Sequence, residues 1–191
     1  MKNSQAIPVM IVEDEPVTRR GLQLFIQNLS GIDVVGIESN GEDAVHSASQ
    51  LQPEVVLMDI GLPGISGIDA ATQIKKQCPS ARVLMLTSNE SPDAIFASFS
   101  AGADGYVLKS AFAHSLELAI RTVRCGSVWL DPQIAKSILQ LAVGSSNASS
   151  KNINLSNQEK DKLENVANAD CLDGVCLVQP GFVASLKRFH Q

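Results

Sequence analysis

Val55-Val56-Leu57-Met58-Asp59-Ile60-Gly61-Leu62-Pro63-Gly64 is the stretch that decides how this chain is read. Its apolar run follows Pro53 and shows no polar alternation, which suits a strand covered on both faces. Asp59 ends the run, and Leu62-Pro63-Gly64 has the composition of a turn. Three other segments repeat the design: Val9–Val12 ends in Glu13-Asp14, Val83–Leu86 in Thr87, and Gly105–Leu108 in Lys109. In an open parallel sheet the strand C-termini share one edge, and ligands bind there where the strand order reverses. Residues far apart in sequence are therefore expected to meet in one pocket.

Between these segments the pattern turns helical. Pro16 suits a first helical turn, and Gly21–Leu29 carries apolar residues at helical spacing. A second strand is expected at Val34–Ile37. Helices are expected from Asn40-Gly41-Glu42 to about Gln50, over Ile68–Gln77, from Ser91-Pro92-Asp93 through Ala101, and over Phe112–Arg124. The alternation predicts an α/β fold: a flavodoxin-like, doubly wound, five-stranded parallel sheet of order 2-1-3-4-5, with a small helical C-terminal extension. Residues 1–125 form the sheet domain, and 126–142 a connecting segment with a sixth helix at Pro132–Leu141. Residues 143–154 are a Ser-, Asn- and Gly-rich flexible linker, and 155–191 a short, mainly helical C-terminal region. In that last region Ser156 and Glu159 form a capping box, and a short helix is expected after Pro180. Trp129 is placed beyond the sheet domain.

The 191 residues allow one well-packed domain and an extension. A hydrophobic content of 45% with 18% charged residues excludes a disordered chain. The net charge of −5 offers no global attraction to nucleic acid or anionic lipid. The apolar run Ile7–Val12 is too short for a membrane span or secretory signal, so no membrane association and a cytoplasmic location are expected. Cys78, Cys125, Cys171 and Cys176 match no zinc or redox spacing.

The pocket chemistry points to phosphoryl transfer. A carboxylate that accepts a phosphoryl group adds about two negative charges to an acidic cleft. A hard divalent cation, Mg²⁺ above all, offsets that charge when held by carboxylates, waters and phosphate oxygens. Asp14 and Asp59, with a backbone carbonyl just beyond, supply such ligands. Lys109 supplies a positive charge to phosphate oxygens, and Thr87 a hydroxyl that bonds them only in the modified state. Taken singly, Asp14 is also an ordinary helix N-cap, Asp59 a strand terminator, Thr87 a turn cap and Lys109 a solvated lysine. Only their joint placement at the ends of strands one, three, four and five singles them out.

The segments Ile11–Pro16, Leu57–Gly64, Leu84–Ser88 and Gly105–Ser110 resemble the receiver domain of bacterial two-component response regulators, over about Pro8 to Arg124. The resemblance implies that Asp59 is the phospho-acceptor, with Asp14 contacting Mg²⁺ directly and Glu13 through water. It makes the Gly61 carbonyl a third ligand, Thr87 and Lys109 the phosphate contacts, and Thr87 and Tyr106 the switch pair. It also implies a sensor histidine kinase as phosphoryl donor. Lys109-Ser110 and the Gly-x-x-Trp-Leu-Asp-Pro that follows the fifth helix resemble the NarL/FixJ class, which usually ends in a DNA-binding helix-turn-helix. Leu155-Ser156-x-x-Glu159 resembles the opening of that motif, but the motif's scaffold and recognition segments are not found between Lys160 and Gln191.

These residues are compatible with three functions. The first is a phosphorylation-switched receiver signalling through a downstream protein partner or a homodimer. The second is a DNA-binding transcriptional regulator with a divergent C-terminal domain. The third is an aspartyl-phosphate phosphohydrolase, which lacks a proton donor beside Asp59, since Ile60 and Gly61 stand there. The receiver reading leads, and it makes the chain a phosphoryl acceptor rather than a classical enzyme. No DNA-binding residues are assigned. From Ser145 onward, five basic residues (Lys151, Lys160, Lys162, Lys187, Arg188) balance five acidic ones (Glu159, Asp161, Glu164, Asp170, Asp173), so the tail lacks the positive excess that drives phosphate contact.

Overall fold

Strict alternation of side chains across fully buried strands builds this molecule. The computed structural model describes residues 6–88, 91–110, 112–131, 134–135 and 177–178. The strands are β1 (Ile7–Val12), β2 (Ile32–Glu38), β3 (Val55–Asp59), β4 (Arg82–Thr87), β5 (Gly105–Leu108), β6 (Val128–Leu130) and β7 (Leu177–Val178). The helices are α1 (Pro16–Gln27), α2 (Gly41–Leu51), α3 (Gly67–Gln77), α4 (Pro92–Ser100) and α5 (Phe112–Arg124). Among the described residues, no helix is long and apolar enough to cross a membrane.

Every residue of β3 and β5 is buried. Met10, Val12, Val56, Met58, Val83, Met85, Tyr106 and Leu108 fall on one face, packed with Ala44, Ala48, Ile74 and Phe99 of α2, α3 and α4. Val9, Ile11, Val55, Leu57, Leu84, Leu86 and Val107 fall on the other, with Leu22 and Ile26 of α1 and Leu116 and Ile120 of α5. Each fully buried aliphatic side chain contributes about 1.5–3 kcal/mol, so these two layers dominate the stability of the fold.

The sheet order is β2-β1-β3-β4-β5-β6-β7. It contains the expected 2-1-3-4-5 order, all parallel, and extends it by two strands at the β5 edge. β6 runs parallel to β5, pairing Gly105 with Trp129 and Tyr106 with Leu130. A methyl group on Gly105 would lie 3.0 Å from Trp129 Cβ and 2.7 Å from Leu84 Cδ1, so only glycine lets the two strands close. Trp129 is buried with α1 and α5, while Val128 and Leu130 join the opposite layer. The placement of Trp129 outside the sheet domain is thus corrected. A three-residue apolar run carries too little periodicity to reveal a strand, and only the return of the chain along α5 presents it to the open β5 edge.

β7 pairs antiparallel with β6, Val178 opposite Val128 and Leu177 opposite Trp129. It adds a strand within a region expected to be mainly helical. Of the expected sixth helix, Ile134 and Ala135 are described and helical, with Ala135 N–H donating to the Asp131 carbonyl at 2.9 Å. The 143–154 linker, the Ser156 capping box and the helix after Pro180 lie outside the described residues.

Candidate functional site

The carboxyl ends of β1, β3, β4 and β5 lie side by side, as parallel pairing requires. Asp59 ends β3 in register with Leu86, and Thr87 ends β4 in register with Leu108. Lys109 follows β5, and its N–H donates to the Thr87 carbonyl at 2.8 Å. Glu13 follows β1, its N–H donating to the Glu38 carbonyl of β2 at 3.1 Å.

Glu13, Asp14 and Asp59 converge so that one carboxylate oxygen from each lies within 4.8 Å of the others. Glu13 and Asp59 are buried and Asp14 is exposed, which gives the cluster a dry floor and an open mouth. Lys109 spans the two buried carboxylates. Its Nζ donates to Glu13 Oε1 at 2.9 Å, lies 2.7 Å from Glu13 Oε2 without hydrogen-bond alignment, and stands 3.0 Å from Asp59 Oδ2. Gly61 sits beside Asp59, the position of an absent Cβ being 3.7 Å from Asp59 Oδ2. Thr87 is buried at the neighbouring strand end. Tyr106 lies wholly in the core layer shared with α3 and α4, opposite Met85.

Charge is unbalanced here, with three carboxylates facing one ammonium. Burial pushes the Glu13 carboxyl above the usual range; the Asp59 charge adds to the rise, while Lys109 opposes it. Burial alone would depress Lys109, but Glu13 and Asp59 outweigh it and hold the ammonium above its ordinary range. All the donors are hard oxygens, and one buried Glu13 oxygen has no aligned hydrogen bond. That set suits a small divalent cation. The residues present fit Mg²⁺.

Two residues of the site escaped the sequence reading. Asp14 is not the cap of α1: Glu15 is, its side chain accepting from the Val17 and Thr18 N–H groups. The Thr18 N–H holds the Glu15 carboxyl below its usual range, with Thr18's hydroxyl and Val17's N–H adding to the effect. Asp14 is thereby left for the cluster. Arg19, one turn into α1, donates to the Glu13 and Asp14 carbonyls at 2.8 and 2.9 Å and fixes the loop that carries both acids. On the sequence alone the cap fell to Asp14, because glutamate is a less usual capping residue than aspartate. Arg19 carried no signal of its own.

The pattern that defines the response regulator receiver domain matches residues 9–121. The chain belongs to that family. The response regulator protein VraR of Staphylococcus aureus is 34% identical over 128 residues, which cover 67% of this chain and 61% of the relative. This receiver chain thus matches less than two thirds of that relative's length. Among solved structures, a LuxR-family two-component response regulator from Aurantimonas superposes with a TM-score of 0.70 at 32% identity, covering 73% of this chain and 99% of the other. A DNA-binding response regulator of the LuxR family from Staphylococcus aureus gives 0.59 at 25% identity, over 62% of this chain and 98% of the other. The receiver's matched span begins in β1 and ends within α5, so it takes in every residue of the acidic cluster.

Proposed function

We propose that the chain is the phosphorylation switch of a two-component system, with Asp59 as the acceptor. One observation carries this reading: Lys109 bridges Asp59 and Glu13 across three strand ends, beside the open carboxylate of Asp14. An Asp59 carboxylate oxygen attacks phosphorus as the donor's bond to phosphorus breaks. That bond is P–N in a sensor kinase phosphohistidine and P–O in acetyl phosphate, and the product is an acyl phosphate. Mg²⁺, held by Asp14, Asp59 and the Gly61 carbonyl, with Glu13 through water, would neutralise charge on the transferring oxygens.

The remaining residues act in turn. Lys109, paired with Asp59 before transfer, is placed to follow the new charge onto the phosphoryl oxygens. The Thr87 hydroxyl donates to one of those oxygens and so favours only the modified state, a differential contact of the kind that shifts a two-state equilibrium. Tyr106, two register steps inside that edge, relays the change to the surface. The output is contact with a downstream protein or a second copy of the chain, in the cytoplasm. Ile60 and Gly61, the residues that follow Asp59, carry no side-chain acid, which supports a phosphoryl acceptor rather than a hydrolase.

A DNA-binding output is the second reading, favoured by the LuxR-family relatives. Against it stands the zero net charge of residues 145–191. Borohydride reduction after acetyl phosphate treatment tests the main reading, because it converts an aspartyl phosphate to homoserine. Homoserine at position 59 is expected, and its appearance elsewhere overturns the assignment. Thr87→Ala should still form it while losing phosphorylation-dependent partner binding.

A further inference from the structure

We propose that Glu42 is a positioning residue for this site: from the first turn of α2 it clamps the β3–α3 loop and so sets where the Gly61 carbonyl stands relative to Asp14 and Asp59. The inference rests on the reading of Gly61 as a metal ligand. Glu42 Oε1 accepts the Ile65 N–H at 3.1 Å across the gap between α2 and the loop. Among the described residues no lysine or arginine pairs with it. An exposed carboxylate with no cation, spent on a single loop amide, calls for a reason.

The backbone around the contact is shaped to receive it. Gly64 has φ +77°, and a Cβ there would stand 2.5 Å from Glu42 Oε1 and 2.7 Å from Oε2. A Cβ on Gly41 would stand 2.5 Å from Ile65 Cγ1 and 2.9 Å from the Ile65 carbonyl oxygen. A side chain at Gly41 would meet the Ile65 backbone and push the loop off α2, and one at Gly64 would displace the Glu42 carboxylate from its seat. At the loop's far end the Gly67 N–H donates to the Ile60 carbonyl at 3.0 Å, and a Cβ on Gly67 would collide with the Asp59 carbonyl. The loop is therefore closed at its base by the Gly67–Ile60 bond and tied to α2 through Glu42 at Ile65.

The proposed ligands differ in how they are held. Asp59 sits in the sheet ladder, and the Asp14 backbone is fixed by Arg19. Gly61 belongs to the loop and inherits its position from these two contacts. Mg²⁺ demands near-ideal octahedral geometry and tolerates misplaced ligands poorly, so loosening one contact should weaken binding without altering the chemistry.

The test compares Glu42→Ala with Glu42→Gln in the full chain. Glutamine keeps an acceptor oxygen and discards the charge. Mg²⁺ affinity is measured by calorimetry, Ile65 amide exchange in the metal-free protein by NMR, and labelling from acetyl phosphate across a Mg²⁺ series. Glu42→Ala should lose about two- to tenfold in Mg²⁺ affinity, the range expected of one net hydrogen bond. Its Ile65 amide should exchange faster, while its labelling rate at saturating Mg²⁺ and its melting temperature stay near the parent's. Glu42→Gln should behave as the parent does. Unchanged affinity in Glu42→Ala overturns the clamp, as does an equal loss in Glu42→Gln, which would make the effect one of charge. A parent that itself neither binds Mg²⁺ nor takes label overturns the reading beneath the clamp, and the clamp's role with it.

Discussion

Two charge clusters sit at opposite ends of the same strands, and they are built on opposite principles. At the amino end of β4 and β5, Asp104 is fully satisfied. Its Oδ1 meets Arg82 Nη1 at 2.9 Å, and its Oδ2 accepts from both Lys75 Nζ and the Val83 N–H at 2.9 Å. One carboxylate has two cations and a backbone donor. At the carboxyl end, three carboxylates share Lys109, and one buried oxygen has no aligned hydrogen bond. A cluster whose carboxylate is fully partnered inside the chain holds the fold together. One that leaves a surplus of negative charge is waiting for a cation, and stability given up there is what a functional site costs.

The widest separation between the two ends should come from Asp59→Ala. It should abolish phosphoryl uptake from acetyl phosphate while leaving the circular dichroism spectrum intact; acid-labile label persisting in that variant would place the acceptor elsewhere. The contrast in stability comes next. Asp104→Ala takes the carboxylate partner from two cations and leaves the Val83 N–H without its acceptor. Lys75 keeps the Ala81 carbonyl and Arg82 is partly solvated, so the cost should be about 1–3 kcal/mol, read from the urea midpoint. Asp59→Asn removes one of three crowded like charges, and in metal-free buffer it should be neutral or stabilising by up to about 1 kcal/mol. Similar losses in both variants would erase the distinction between the clusters.

Metal affinity gives a smaller effect. Asp14→Ala removes an open carboxylate ligand and should weaken Mg²⁺ binding by about tenfold or more by calorimetry, whereas Asp104→Ala should leave the affinity of the folded fraction unchanged. The smallest effect is a pH dependence. The Lys109 ammonium is held above its ordinary value of 10.5; burial works against it, but Glu13 and Asp59 outweigh burial. Its stabilisation is therefore complete below about pH 10.5 and is lost as pH rises through the folded value. Lys109→Met should lower stability at neutral pH and flatten the alkaline decline; an unchanged alkaline limb would show that the pair adds nothing. Glu13 runs with the opposite sign to most carboxylates. Its raised value means that protonation favours the fold, so its contribution grows as pH falls through that value towards 4.5.

The strand ends were legible because burial on both faces forces an apolar run, and whatever polar residue ends the run stands at the sheet edge. Glu13, Asp59, Thr87 and Lys109 were found that way. Asp14 was equally a helix cap on sequence grounds, and only the Glu15 side chain, turned back onto Val17 and Thr18, decided the matter. Arg19 and Glu42 left no trace, because each acts through a backbone group of another segment, which no spacing encodes. β6 was missed for a related reason. Val128-Trp129-Leu130 is too short to declare its period, and the glycine that admits it lies a helix away at Gly105.

The sequence by itself determined the alternation of strands and helices, the five parallel strands and the identities of the residues on their carboxyl edge, since side-chain periodicity and turn chemistry are local properties. Tertiary structure alone decided how those residues are shared out: Lys109 between Glu13 and Asp59, Glu15 to the helix so that Asp14 is left to the cluster, and Trp129 to the core. Each of those outcomes depends on a competition between partners distant in the chain, and such a competition is settled only when the strands lie side by side.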